Sequence, residues 1–254
     1  MSGLYTAFID VALPVEVIDP HVLHRRLLDL TTRLADVHPL LATWYEPPRA
    51  DAEAAVPLSD SAQFIARIAR NAAQDLVMHP HRPMAGGADA NLRNMRRTHD
   101  WLMPGRLSMS YMPWCGRLTF DLNEPFEAFG AATPTIVRGC IAAVAASLDA
   151  LFIGTDVSCP LAGGSGFDSY ALDHRLFPHR RWLGWMGFVP ELVPHRYIPE
   201  AASVHVVKGC GTIIVSVEGC LDLHNRAHLR QVHEVEARMA QLGLLDLTDA
   251  TLLE

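Results

Sequence analysis

The sequence predicts an α+β fold, in which an antiparallel or mixed sheet is packed by helices. Half of the 254 residues are hydrophobic, which is enough apolar material for a sizeable core. Short segments rich in β-forming residues alternate with segments whose apolar residues recur every three or four positions. Glycine and proline separate these segments. We interpret residues 1–254 as a single domain with a seam at 79–106; a variant of this layout has two similar strand–helix–strand halves, starting near residues 4 and 117.

The amino-terminal elements follow from local pattern and capping. Residues 4–13 alternate and predict a strand. Asp19 is a natural N-cap before Pro20, and leucines at helical spacing continue the predicted helix to residue 37. Residues 41–45 predict a second strand, and Ser59 or Asp60 caps the next predicted helix.

The middle of the chain begins with a segment that lacks an apolar period. We predict an irregular connection over 79–106, with room for a short helix over 91–100. Strands follow over 107–112 and 117–122. Thr133 and Pro134 then predict the start of a broadly apolar helix that reaches Phe152.

The carboxy-terminal third contains the most informative segment, residues 181–190. It predicts a covered strand with apolar side chains on both faces, in which glycine permits a close backbone approach. We favour core packing over an interface for its tryptophans. A strand over 156–161, a hairpin of 203–207 with 212–217, and a helix from Asn225 to a Gly243 cap complete the prediction. The signature residues of the segment are Trp182, Gly184, Trp185, Gly187 and Phe188.

Composition restricts the class of function. The five cysteines include no Cys-x-x-Cys pair, so we expect reduced thiols and a cytoplasmic protein. No apolar run approaches the length of a membrane span, and no secretory signal is evident. The net charge of -7 argues against nonspecific nucleic-acid binding and permits a basic partner.

No motif specifies catalysis or a metal site. Residues 163–166 resemble a nucleophile elbow only until Phe167, where glycine is required, so a flexible turn is the better interpretation. The spacing of His224, His228 and His233, like that of the pair at 79 and 81, is poor for a metal. We therefore predict no metal and no cofactor.

Two charged groups have an ordinary interpretation. Asp156, Asp168 and Asp173 lie in irregular chain, where caps and turns explain them better than a catalytic carboxylate group does. The arginines at 93, 96, 97 and 106 are best interpreted as solvated loop residues that pair with carboxylates, rather than as a nucleic-acid patch.

The carboxy-terminal half resembles a known family. Segment 183–190, strand 211–217, and the helix with Asn225, His228 and Glu236 running into 242–245 are similar to the immunity protein 52 family, with the best match over about 117–245. This resemblance implies a non-enzymatic α+β immunity protein. Its partner would be a nuclease toxin of the restriction-endonuclease-like class, from a bacterial polymorphic-toxin or type VI secretion system.

We also predict a contact surface for such a toxin. Nucleases attract phosphates and are basic near the active site, so exposed carboxylates on loops are the natural contacts. We expect no nucleic-acid, membrane or small-molecule partner. The rival hypotheses are a small hydrolase or nucleotide-modifying enzyme, and an adaptor that loads an effector. The predicted contacts are Glu46, Asp51, Glu53, Asp168 and Asp173.

Overall fold

The computed structural model describes residues 5–48, 54–81, 84–96, 103–161 and 166–253. These residues form eleven strands and five α-helices. The strands are β1 (Thr6–Ala12), β2 (Tyr45–Glu46), β3 (Val56–Pro57), β4 (Ala90–Arg93), β5 (Leu107–Met112), β6 (Arg117–Asn123), β7 (Phe152–Pro160), β8 (Phe167–Ser169), β9 (Met186–Val189), β10 (Ser203–Val207) and β11 (Gly211–Val215). The helices are α1 (Pro20–Val37), α2 (Ser61–Met78), α3 (Pro125–Phe129), α4 (Thr133–Ser147) and α5 (Arg226–Gln241).

All the described strands belong to one sheet. Their order is β10-β11-β9-β7-β1-β6-β5-β4-β2-β3, and β8 pairs with β7 outside this path. Every pairing between these strands is antiparallel. The predicted α+β class is confirmed, with an antiparallel rather than a mixed sheet.

Helices α1 and α5 begin where local capping predicts. Asp19 Oδ1 accepts hydrogen bonds from the amides of His21 and Val22 at 2.8 and 3.0 Å. Asn225 caps α5 in the same way, and Gly243 beyond its end has a φ of +73°. Both predicted helices are confirmed because their end signals are interactions between near neighbours.

The helices divide the sheet into two differently covered regions. Inward side chains of β1 such as Ile9 share one buried cluster with the leucines of α1 and with Val144 of α4. On the opposite side, Val235 and Met239 of α5 join a second cluster with Ile214 of β11. The strands near β9 are therefore covered on both faces, whereas no described helix covers the outer face of β1, β5 and β6.

Helix α4 is the most apolar element. The stretch Pro125–Ser147 is long and apolar enough to cross a membrane by composition, with a mean hydropathy of 1.4, and 44% of that window is buried in the fold. Val137, Cys140, Ile141 and Val144 are completely buried in the main core. Its packing against α1 and against β9, β10 and β11 accounts for its apolar composition.

The tryptophan segment is strand only at its end. Gly184 has a φ of +68°, and a Cβ there would lie 2.3 Å from the carbonyl oxygen of Thr155. A Cβ on Gly187 would lie 2.0 Å from the carbonyl oxygen of Ile153. The predicted close backbone approach is confirmed. The predicted regular strand over 181–185 is wrong, because the positive φ interrupts the alternation.

Other element predictions are also corrected. The helix predicted to reach Phe152 ends at Ser147, and β7 begins at Phe152. Thr133 does not cap it; its hydroxyl donates to the carbonyl oxygens of Gly130 and Pro125 at 2.8 and 3.0 Å. Of the predicted strand over 41–45, only Tyr45 lies in a strand, β2, and residues 39–41 form a 3₁₀ turn. Residues 91–93 lie in β4 rather than in a helix.

Candidate functional site

The candidate site is the outer face of the sheet over β4, β5, β6, β1 and β7, which we call the open face. Side chains along β5 and β6 alternate between buried and half-buried, as in a sheet with one covered side. Strand register places the outward residues in rows, because Ser108, Asp121, Phe8 and Asp156 are successive partners across four strands. The open face comprises Asn91, Arg93, Ser108, Ser110, Thr119, Asp121, Asn123, Phe8, Asp10 and Asp156.

Two carboxylates on the open face are partly desolvated. The Asp121 carboxylate accepts a 2.8 Å hydrogen bond from the Ser108 hydroxyl, and burial raises the pKa of Asp121 above its ordinary value. Burial likewise raises the pKa of Asp156, although its oxygens accept from the Ser169 hydroxyl and the Ala171 amide at 2.8 and 3.0 Å. A cationic partner placed over these groups would favour their ionised form.

A cleft lies at one end of the open face, with a volume of about 400 Å³. Strand residues such as Asp10 and Gly154 line it together with residues of the segment 175–182. We call it the arginine cleft, after Arg117, Arg175, Arg180 and Arg181, which line it together with Asp10, Val11, Ala12, Cys115, Gly116, Phe152, Gly154, Trp182 and Thr248.

A buried carboxylate joins the tryptophan segment to α5. Glu236 Oε1 accepts hydrogen bonds from the amides of Leu183 and Gly184 at 2.8 and 3.1 Å, and only 1% of the residue is exposed. Burial raises the pKa of Glu236, with these amides and the nearby Tyr170 hydroxyl opposing the shift. Burial and the Glu236 charge both raise the pKa of Tyr170. This arrangement holds the backbone bend at Gly184, so we assign Glu236 a structural role.

The predicted toxin contacts are only partly on the surface. Glu46 is 1% exposed, and its carboxylate accepts a 3.1 Å hydrogen bond from the Asn91 amide, which extends the short contact of β2 with β4. Asp168 is 9% exposed and lies 2.8 Å from His174 Nε2. The expectation that these two carboxylates are exposed is wrong, since both complete local hydrogen bonding. Asp173 is exposed, whereas Asp51 and Glu53 lie outside the described residues.

The prediction of irregular chain at the carboxylates 156, 168 and 173 is wrong for Asp156, which lies in β7, and for Asp168, which lies in β8; only Asp173 lies in a turn. Asp173 Oδ2 accepts a 2.9 Å hydrogen bond from the Ser169 amide, and Asp156 bonds the same serine's hydroxyl. They hold β8 and the π-helical turn Tyr170–His174 against β7. Within the described ranges, no group of three or more His, Cys, Asp or Glu side chains is arranged to hold a metal ion.

The two tryptophans of the signature have different environments. Trp185 is completely buried, and its Nε1–H donates to the carbonyl oxygen of Val217 at 3.0 Å, which confirms core packing. Trp182 is half-buried, lines the arginine cleft, and lies edge-on to Tyr170 at 6.4 Å between ring centroids. Core packing therefore accounts for Trp182 only in part.

No family model and no curated protein matches the chain. The resemblance to the immunity protein 52 family therefore stays a prediction.

The sequence reasoning missed both the open face and the arginine cleft. The open face does have a signal in the sequence, because Arg117, Thr119 and Asp121 alternate with apolar residues along β6. That alternation indicates a strand with one solvent-facing side. The arginine cleft has no such signal in the sequence. Arg117 and Arg181 are 64 positions apart, and only the pairing of distant strands brings their segments together.

Proposed function

We propose that this chain is an immunity-type binding protein that neutralises a nuclease toxin of the restriction-endonuclease-like class, and that the toxin docks on the open face. In this proposal the protein acts in the cytoplasm and performs no catalysis of its own. The toxin would come from a bacterial polymorphic-toxin or type VI secretion system.

The observation that carries the proposal is the open face itself. It presents short polar side chains such as Ser110 and Thr119 across several strands, and no described helix covers its part over β1, β5 and β6. The π-helical turn Tyr170–His174 packs against β7 beside this part. Small side chains on a rigid sheet make a surface that a partner can approach closely with little ordering cost.

Charge supports a basic partner. Asp121 and Asp156 flank Phe8 on one row of the open face, and the whole chain carries a net charge of -7. A basic nuclease surface would gain association rate from the overall charge, and its cationic groups would favour the ionised form of the two carboxylates. Asp51, Glu53 and Asp173 remain predicted contacts.

The test is co-expression with the neighbouring gene's product as candidate toxin. The wild-type chain should restore growth and form a complex that is measurable by biosensor. We expect Thr119→Arg, at the centre of the open face, to weaken that complex by about 2 kcal/mol or more, the size of a central interface effect. Thr32→Arg on the exposed side of α1 is the matched control and should leave the affinity unchanged.

The rival functions predict different outcomes. Equal affinities for the two arginine variants, with both proteins folded by circular dichroism, would contradict docking on the open face. Binding to the partner's delivery region alone would favour the effector-loading adaptor. Product formation by the chain purified alone would favour the hydrolase or nucleotide-modifying enzyme.

A further inference from the structure

We infer that the arginine cleft is a binding site for a small molecule that carries a phosphate group. This inference does not rest on the proposed toxin binding, although Asp10 belongs to both the open face and the cleft. It concerns a ligand that is held rather than converted.

The charge of the cleft lining is the first observation. Four arginines and one carboxylate, that of Asp10, line a volume of about 400 Å³ in a chain whose net charge is -7. Asp10 is already engaged, because its Oδ1 lies 2.8 Å from Arg117 Nε. Among the described residues, Arg175 and Arg180 have no carboxylate within ion-pair distance, so positive charge remains for a ligand.

The second observation is an unsatisfied buried donor. Arg181 Nη1 is buried and has no hydrogen-bond partner in the part of the chain that is described. The same guanidinium lies 5.5 Å above the Phe152 ring, and its Nε lies 3.5 Å from an Asp246 carboxylate oxygen. A buried, charged N–H without an acceptor is costly, and a small rotation of the Arg181 side chain toward an oxyanion in the cleft would give it one.

The arginine segment is also held in place before any ligand arrives. The Arg181 amide donates to the carbonyl oxygen of Asp246 at 2.9 Å, and Arg180 Nη1 donates to that of Leu245 at 2.8 Å. The Thr248 amide donates to the carbonyl oxygen of His179 at 2.8 Å. A guanidinium that is already held, as that of Arg180 is, loses little conformational freedom on binding, and its planar donors match the geometry of a phosphate.

The remaining lining indicates the size of the ligand. A volume of about 400 Å³ lies within the range of small-molecule sites and exceeds the need of a bare phosphate ion. The half-buried Trp182 contributes an aromatic surface to the same cleft. A phosphate monoester with an attached ring, such as a nucleoside monophosphate, fits this combination.

The test measures binding of inorganic phosphate and of adenosine monophosphate by calorimetry, at ionic strength held constant with sodium chloride. We expect saturable one-to-one binding of both, and tighter binding of the nucleotide. Arg175→Gln, an exposed position that should not disturb folding, should weaken both by about tenfold, as expected for loss of a charged hydrogen bond. Arg33→Gln on α1 is the matched control and should bind like the wild type.

Several results would overturn the inference. These are the absence of saturable binding, equal weakening by Arg33→Gln, or unchanged binding in both Arg175→Gln and Arg181→Gln. If Arg181→Gln does not fold, Arg175→Gln decides alone. If phosphate binds but adenosine monophosphate binds no more tightly, the cleft is an anion site, and the inferred contact of Trp182 with the ring of the ligand is wrong.

Discussion

Replacement of Glu236 tests the link between α5 and the tryptophan segment. In Glu236→Ala, the amides of Leu183 and Gly184 lose their acceptor in a buried setting. Each unsatisfied N–H costs about 1–3 kcal/mol, and removing a buried carboxylate offsets part of this cost. We therefore expect a net loss of about 3 kcal/mol in the free energy of unfolding. The matched control is Glu234→Gln, whose side chain is 52% exposed on the same helix; it should change stability by less than about 0.5 kcal/mol.

Glu236→Gln separates the hydrogen bonds from the charge. The amide oxygen can still accept from Leu183, but the group no longer titrates. Because burial raises the pKa of Glu236 in the folded protein, the folded state holds the proton at pH values where the unfolded state has lost it. The contribution of Glu236 to stability therefore falls as pH rises from the ordinary glutamate pKa of about 4.3 up to the raised value, by at most about 1.4 kcal/mol per pH unit.

Urea denaturation at a series of pH values measures both effects. The stability of Glu236→Gln relative to the wild type should increase with pH across that window and then level off. A difference that stays constant between pH 4.5 and 8 would refute the raised pKa. An alanine variant as stable as the wild type would refute the structural role that we assign to the carboxylate.

Two further predictions concern packing and thiol reactivity. Gly187→Ala should destabilise the protein by about 3 kcal/mol or more, because its Cβ would meet the Ile153 carbonyl oxygen. The control is Gly219→Ala, whose Cβ would lie in open space and which should be close to neutral in thermal denaturation. Equal melting temperatures for the two variants would contradict the close approach of β7 and β9. Burial raises the pKa of the Cys140 thiol, while Cys115 is exposed, so iodoacetamide should label Cys115 in the native protein and Cys140 only after unfolding, as read by peptide mass spectrometry. Labelling of Cys140 at the native-state rate of Cys115 would show that the main core opens readily.

The sequence alone determined what depends on near neighbours. Asp19 and Asn225 cap their helices through amides two or three positions away, so the helix starts could be predicted from composition and spacing. Strand parity acts over the same short range, which is why the strands over 107–112 and 117–122 were predicted with nearly correct bounds. The α+β class follows from the succession of such local signals.

Only the tertiary structure decided which elements meet. Glu236 reaches amides 52 and 53 residues away, and Arg181 meets Asp246 across a similar distance in sequence. The sequence predicted Glu46 as an exposed loop carboxylate, but β4 covers it. The pairing of so short a strand as β2 with β4 leaves no pattern in the local sequence. Which strands become neighbours depends on the apolar surface that the complete sheet buries, and not on any one segment. The open face and the arginine cleft are therefore properties of the assembled fold.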